Sequence, residues 1–124
     1  MPPFMKEANE RAVQNKAQDF AVRITKAQKY LVDVKKERRI SDQLYRSGTS
    51  VSANISEAQY AASKADFINK MQIALKEANE SRNWIEILYR SEYIDQIVFR
   101  SIHADIEEII KLLTAIIRTS KRTS

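Results

Sequence analysis

The sequence predicts an all-α fold, an antiparallel up-down-up-down four-helix bundle, and three observations carry that expectation. From Phe4 onward the chain holds no proline and a single glycine, Gly48, so strands and tight turns have little local support. Apolar residues recur at spacings of three and four through four long segments. The segments are joined by short polar links, and helices of roughly 25 residues joined by short links must alternate in direction. At 14.4 kDa the chain reads as one domain over residues 1–124, with 1–12 and 119–124 expected to fray.

The first helix is marked by Val13, Ala17, Phe20, Ile24, Ala27, Leu31 and Val34, a heptad stripe that requires one buried seam. It gives way to Lys35-Lys36-Glu37-Arg38-Arg39, a charged connection with four basic residues in five. Such a run serves either as a polyanion contact or as a solvated corner whose cations favour a helix C-terminus.

The second segment, Ser41 to Ala62, organises the chain. Leu44, Gly48, Val51, Ile55, Ala58 and Ala62 form an apolar face, and Ser47, Ser50, Asn54 and Glu57 a polar one beside it. Glycine inside a helix costs roughly 1 kcal/mol relative to alanine, so its place here implies close approach by a neighbour. A lone glycine lacks the repeated pattern of a phosphate-binding loop.

Ser63 reads as the N-cap of the third helix, with Asp66 three residues on as in a capping box. Phe67, Met71, Ala74, Ala78, Ser81, Ile85 and Leu88 form its seam, and Ile73, Glu77, Glu80, Trp84 and Ile87 a second stripe. An antiparallel pairing about Ser63 sets Gly48 opposite Ala78, Arg46 opposite Glu80 and Ser50 opposite Lys76. The expectation is a glycine that admits the third helix, bordered by a ladder of charges. Asp95 is the N-cap candidate for the fourth helix, whose seam is Val98, Ile102, Ile106, Ile109, Leu113 and Ile116. Ile110, Leu112 and Ile117 widen its apolar stripe to about 160°, more than one seam needs, and point to self-association through these residues.

Twenty-one Lys and Arg against sixteen Asp and Glu give a formal charge of +5. Residues 1–62 carry eleven basic and seven acidic groups and the remainder ten and nine, so the excess lies mainly in the first half. That balance permits a polyanionic partner. With no cysteine there is no disulfide framework or thiolate site, and no apolar run approaches a membrane span. The expected location is the cytoplasm. His103 is the only histidine and Arg100 precedes it by three, so neither a two-histidine metal site nor a Glu-x-x-His pair is available. His103 is expected to be a solvated helix residue. Glu77 and Glu80 share a face but have Arg46, Lys76 and Arg82 near enough to neutralise them, which favours an ion-pair network over acid–base chemistry. No catalytic, cofactor or metal site is expected. Trp84 and Tyr89 are assigned to the core or a subunit contact.

The stretch QLYRSGTSVSANISEAQYAASKADFINKMQIALKEANESRNWIEILY resembles the signature of the 23S rRNA intervening-sequence proteins, also catalogued as four-helix bundle proteins and sometimes under a ribosomal-protein label. The matching positions are Arg46-Ser47-Gly48-Thr49-Ser50, Ala53-Asn54-Ile55, Glu57-Ala58, Ser63, Asp66-Phe67 and Ala74-Leu75-Lys76-Glu77-Ala78, with Glu80 and Trp84; Ser52 stands where glycine is common. The closing IIKLLTAIIRTSKR is similar to the last helix of the family, so the likeness spans residues 13–122. The resemblance implies a bacterial protein forming a homopentamer of bundles with a basic surface. A related branch, the accessory protein of diversity-generating retroelements, binds nucleic acid and a reverse transcriptase. By that likeness the expected function is non-enzymatic binding of structured RNA or DNA. Lys35, Lys36, Arg38 and Arg39 would neutralise phosphates at one pole, and Arg118, Lys121 and Arg122 at the other. The alternative is a protein-interaction scaffold without a nucleic-acid role.

Overall fold

A computed structural model describes residues 7–123, with side chains from residue 9 onward. Four helices follow one another: α1 (Glu7–Asp33), α2 (Arg39–Ala58), α3 (Lys64–Arg90) and α4 (Gln96–Arg122). Each packs on its neighbours in the chain, and α1 closes the ring against α4; among the described residues the backbones of diagonal helices do not come close. This is the expected up-down-up-down bundle. Residues 7–12 belong to α1 and α4 continues to Arg122, so regular helix extends further at both ends than the sequence implied. Residues 1–6 and 124, also expected to fray, lie outside the described residues.

The heptad seams account for the core. All seven predicted α3 seam residues are buried, as are Val13, Ala17, Phe20, Ile24 and Leu31 of α1 and five of the six on α4. Ala27 is half-buried, and the two exposed exceptions share one pole. Val34, the last predicted seam residue of α1, is 61 % exposed, and Val98, the first on α4, is 40 % exposed. Helix α2 ends at Ala58 rather than near Ala62, and Ala62 is exposed in the link.

Capping residues fix three of the helix starts. The Ser63 hydroxyl accepts from the Asp66 N–H at 3.1 Å while the Asp66 carboxylate accepts from the Ala62 N–H, and Asp95 accepts from the Val98 N–H at 2.8 Å. At α2 the N-cap position is Arg38, whose side chain caps nothing. Glu37 does the work from one residue earlier: its buried carboxylate accepts from the Ser41 N–H at 2.7 Å and the Ile40 N–H at 2.9 Å. The acid inside the basic run is therefore structural, satisfying two of the donors a helix start leaves open. Glu37→Ala is expected to cost about 1–2 kcal/mol, read as a lowered midpoint in urea.

The space beside Gly48 opens onto α1, a correction to the expectation that the glycine admits α3, while the expected register of α2 on α3 holds at Arg46 and Glu80. A Cβ at this position would lie 3.1 Å from Ile24 Cγ2 and 3.3 Å from Phe20 Cε2, so the missing side chain makes room for two core residues of α1. On the α2–α3 side, Ser47 and Ser81 are buried and meet hydroxyl to hydroxyl at 2.8 Å.

Candidate nucleic-acid interface

Antiparallel order brings the C-terminal ends of α1 and α3 and the N-terminal ends of α2 and α4 to one pole. The corner between α1 and α2 turns there. Lys36 adopts a left-handed backbone (φ 59°), and the Glu37 N–H returns to the Leu31 carbonyl at 2.9 Å. With Glu37 drawn into the fold, Lys35, Lys36, Arg38 and Arg39 are all left exposed. Arg38 lies 3.9 Å from Asp42, whereas Lys35, Lys36 and Arg39 have no ion pair among the described residues. The acids around them are committed: Glu37 caps α2, Asp33 pairs with Lys29, and Asp42 accepts from Gln28. The corner thus holds four exposed cations, three of them unpaired among the described residues.

Lys36 offers a way to separate fold from charge. A residue other than glycine pays for the left-handed conformation, so Lys36→Gly is expected to raise stability by about 0.5–1 kcal/mol. If the corner contacts phosphates, the same change lowers the slope of log affinity against log salt by about 1. Denaturant melts and binding isotherms on one preparation read both effects.

The other predicted set lies at the far pole, one α4 length or about 40 Å away. Arg118, Lys121 and Arg122 are exposed, and the last two occupy the final helical turn, where cations offset the partial negative charge of the helix end. The structure does not bring the two sets together within one chain.

The charge ladder expected between α2 and α3 is present at Arg46, which donates to Glu80 at 2.7 Å and to Glu77 at 3.0 Å. The Glu80 hydrogen bond, with help from Glu77, pushes the guanidinium's pKa further up, against the opposing effect of desolvation. Arg82 does not join it, pairing instead with Glu107 of α4 at 2.9 Å. Lys76 is exposed and Glu57 lies 3.8 Å from Lys70. The Ser50 hydroxyl donates to the Arg46 carbonyl and the Asn54 amide to the Ser50 carbonyl, both within α2. Trp84 packs against the core with its indole N–H buried and unpartnered.

His103, expected to be a solvated helix residue, is half-buried and engaged by neighbours. Its Nε2 lies 3.2 Å from Glu86 and 3.7 Å from Glu107, and its ring tilts against Phe99, which stacks on Tyr89 with centroids 4.2 Å apart. The residues expected at an oligomer contact are drawn inward in the single chain. Ile117 is only 8 % exposed, and half-buried Ile110 and Leu112 pack against the core. No helix among the described residues is long and apolar enough to cross a membrane.

Four long helices, each packed on its neighbours in the chain, define the class of protein, a four-helix bundle. The sequence profile of the 23S rRNA-intervening sequence proteins matches residues 9–115, and the chain belongs to that family. Among solved structures it is similar to a Bacteroides thetaiotaomicron protein of unknown function from the S23 ribosomal protein family. The two are 52 % identical, the match covers 89 % of this chain and 98 % of the other, and the TM-score is 0.87. No curated protein matches the chain.

Proposed function

We propose that the protein is a non-enzymatic, homo-oligomeric bundle of the cytoplasm that binds structured RNA or DNA through backbone phosphates. The observation that carries this reading is the α1–α2 corner, where Lys35, Lys36 and Arg39 stand exposed and unpaired among the described residues while neighbouring acids are engaged elsewhere. Unpaired surface cations release no protein partner when they meet phosphate, so the interaction gains the full benefit of counterion release. A ring of five copies, which the family resemblance implies, would array five such corners. A helical bundle presents no strand platform for reading consecutive bases, so weak sequence preference is expected.

Anisotropy of a labelled RNA hairpin and a labelled DNA duplex of unrelated sequence, at low salt, tests the reading, with light scattering giving the mass of the same sample. Binding of both by a defined oligomer, with affinities within about tenfold of each other, is the expected result. A well-formed oligomer that binds neither would reduce the positive charge to a role in solubility and favour the scaffold alternative.

A further inference from the structure

The pole that carries the basic corner is also where the bundle fails to close. The apolar pattern runs on through Val34 and begins at Val98, yet both side chains are exposed, because α1 and α4 share the sparsest of the four helix seams. Between these helix ends and the α3–α4 corner lies an open cavity of about 700 Å³, within the range of small-ligand sites. Leu31 and Val98 give it an apolar lining. Three tyrosines also line it, each from a different segment: Tyr30 of α1, Tyr89 of α3 and Tyr93 of the corner. The corner is held by the left-handed Glu92 (φ 67°) and by the Tyr93 N–H donating to the Leu88 carbonyl at 2.9 Å.

Lys35 belongs both to this cavity and to the basic corner. On the cavity's other side Arg90 is exposed and, like Lys35, has no ion pair among the described residues. A nucleic-acid backbone held at Lys36 and Arg39 is thereby led past Lys35 to the mouth of an aromatic cavity. We propose that this cavity takes one unpaired nucleobase of the bound nucleic acid, stacked on tyrosine, with the adjoining phosphates on Lys35 and Arg90. The inference rests on the phosphate-binding reading above and specifies the ligand as a structured nucleic acid with a single-stranded segment. Two carboxylates also line the cavity. Asp95 is committed to capping α4, and Glu92 is left as an acceptor for base N–H groups.

The test uses three labelled RNAs: a blunt hairpin, the same hairpin with a 3′ extension of about five nucleotides, and one whose extension is abasic, with equal phosphates but no bases. The extended hairpin is expected to bind about tenfold more tightly than the abasic one, a gain typical of one stacked base. Tyr30→Ala is expected to remove that gain and leave affinity for the blunt hairpin unchanged, and Tyr30→Phe to retain it. Tyr30 is 48 % exposed, so its truncation leaves the core intact. Equal binding of the extended and abasic RNAs, with the blunt hairpin bound in a steeply salt-dependent way, would overturn the cavity assignment alone. No binding of any hairpin at low salt would remove the phosphate reading and the cavity with it. A fall in oligomer mass for Tyr30→Ala would overturn the proposal in favour of a second copy of the chain as the occupant.

Discussion

Reversing Lys35, Lys36, Arg38 and Arg39 together to glutamate is expected to abolish measurable binding of duplex DNA or hairpin RNA at 100 mM salt and to leave the bundle folded. Four phosphate contacts correspond to a slope of about −3.6 in log affinity against log salt, or roughly a hundredfold loss between 50 and 200 mM. Reversal removes that attraction and adds repulsion. The fold tolerates the change for local reasons. Arg38 and Arg39 stand at the N-terminal end of α2, where negative charge is favoured by the helix dipole. Glutamate already occupies a left-handed position at Glu92, the conformation Lys36 adopts. Glu37, the residue that does hold the corner, is untouched. A variant with unchanged circular dichroism and unchanged affinity would show that the corner does not meet phosphate.

Gly48→Leu is expected to destabilise the bundle by about 1–3 kcal/mol or more, the usual consequence of forcing extra carbons into a packed core. Ile24 and Phe20 already occupy the volume its Cβ would enter, and both are buried. Gly48→Ala is the finer test. Alanine gains about 1 kcal/mol of helix propensity but must push Ile24 aside by a few tenths of an ångström, so the two effects nearly cancel. Ile24→Ala removes both γ-carbons that meet the added Cβ and should relieve the contact, making the double variant more stable than the sum of the two singles. No such coupling is expected between Gly48→Ala and Ala78→Gly, since the glycine faces α1. Coupling with Ala78 and none with Ile24 in thermal melts would reverse that assignment.

The sequence disclosed what depends on local pattern. The α3 seam could be read residue by residue because period and burial coincide along an uninterrupted helix. Ser63 and Asp95 were legible as caps because capping is settled within three residues. Arg46 could be set against Glu80 because α2 and α3 are joined by a short link that fixes their register. The same register misled at Gly48. A bundle helix has two neighbours, and the pairing with α3 does not say which of them fills the space beside a glycine. Charge sign was a poorer guide than charge geometry. Reading 35–39 as a basic run identified the corner but missed Glu37, whose carboxylate turns inward, and could not show which cations are unpaired. His103 and Arg82 looked solvated or directed toward α2, because Glu86 meets His103, and Glu107 meets Arg82, only once α3 and α4 have packed. The tyrosine-lined cavity left no mark in the sequence. It arises where an apolar pattern continues past the point at which α1 and α4 part.

The central claim is that the protein meets nucleic acid through unpaired cations at one pole. Its most direct test is the salt dependence of duplex binding by the unmodified protein from 50 to 200 mM, analysed as a slope per bound chain. A slope near −3 to −4 that falls by about one unit for Lys36→Gly is the expected result. A slope near zero, or a steep one that Lys36→Gly leaves unchanged, would contradict the assignment of the corner as the phosphate-binding surface.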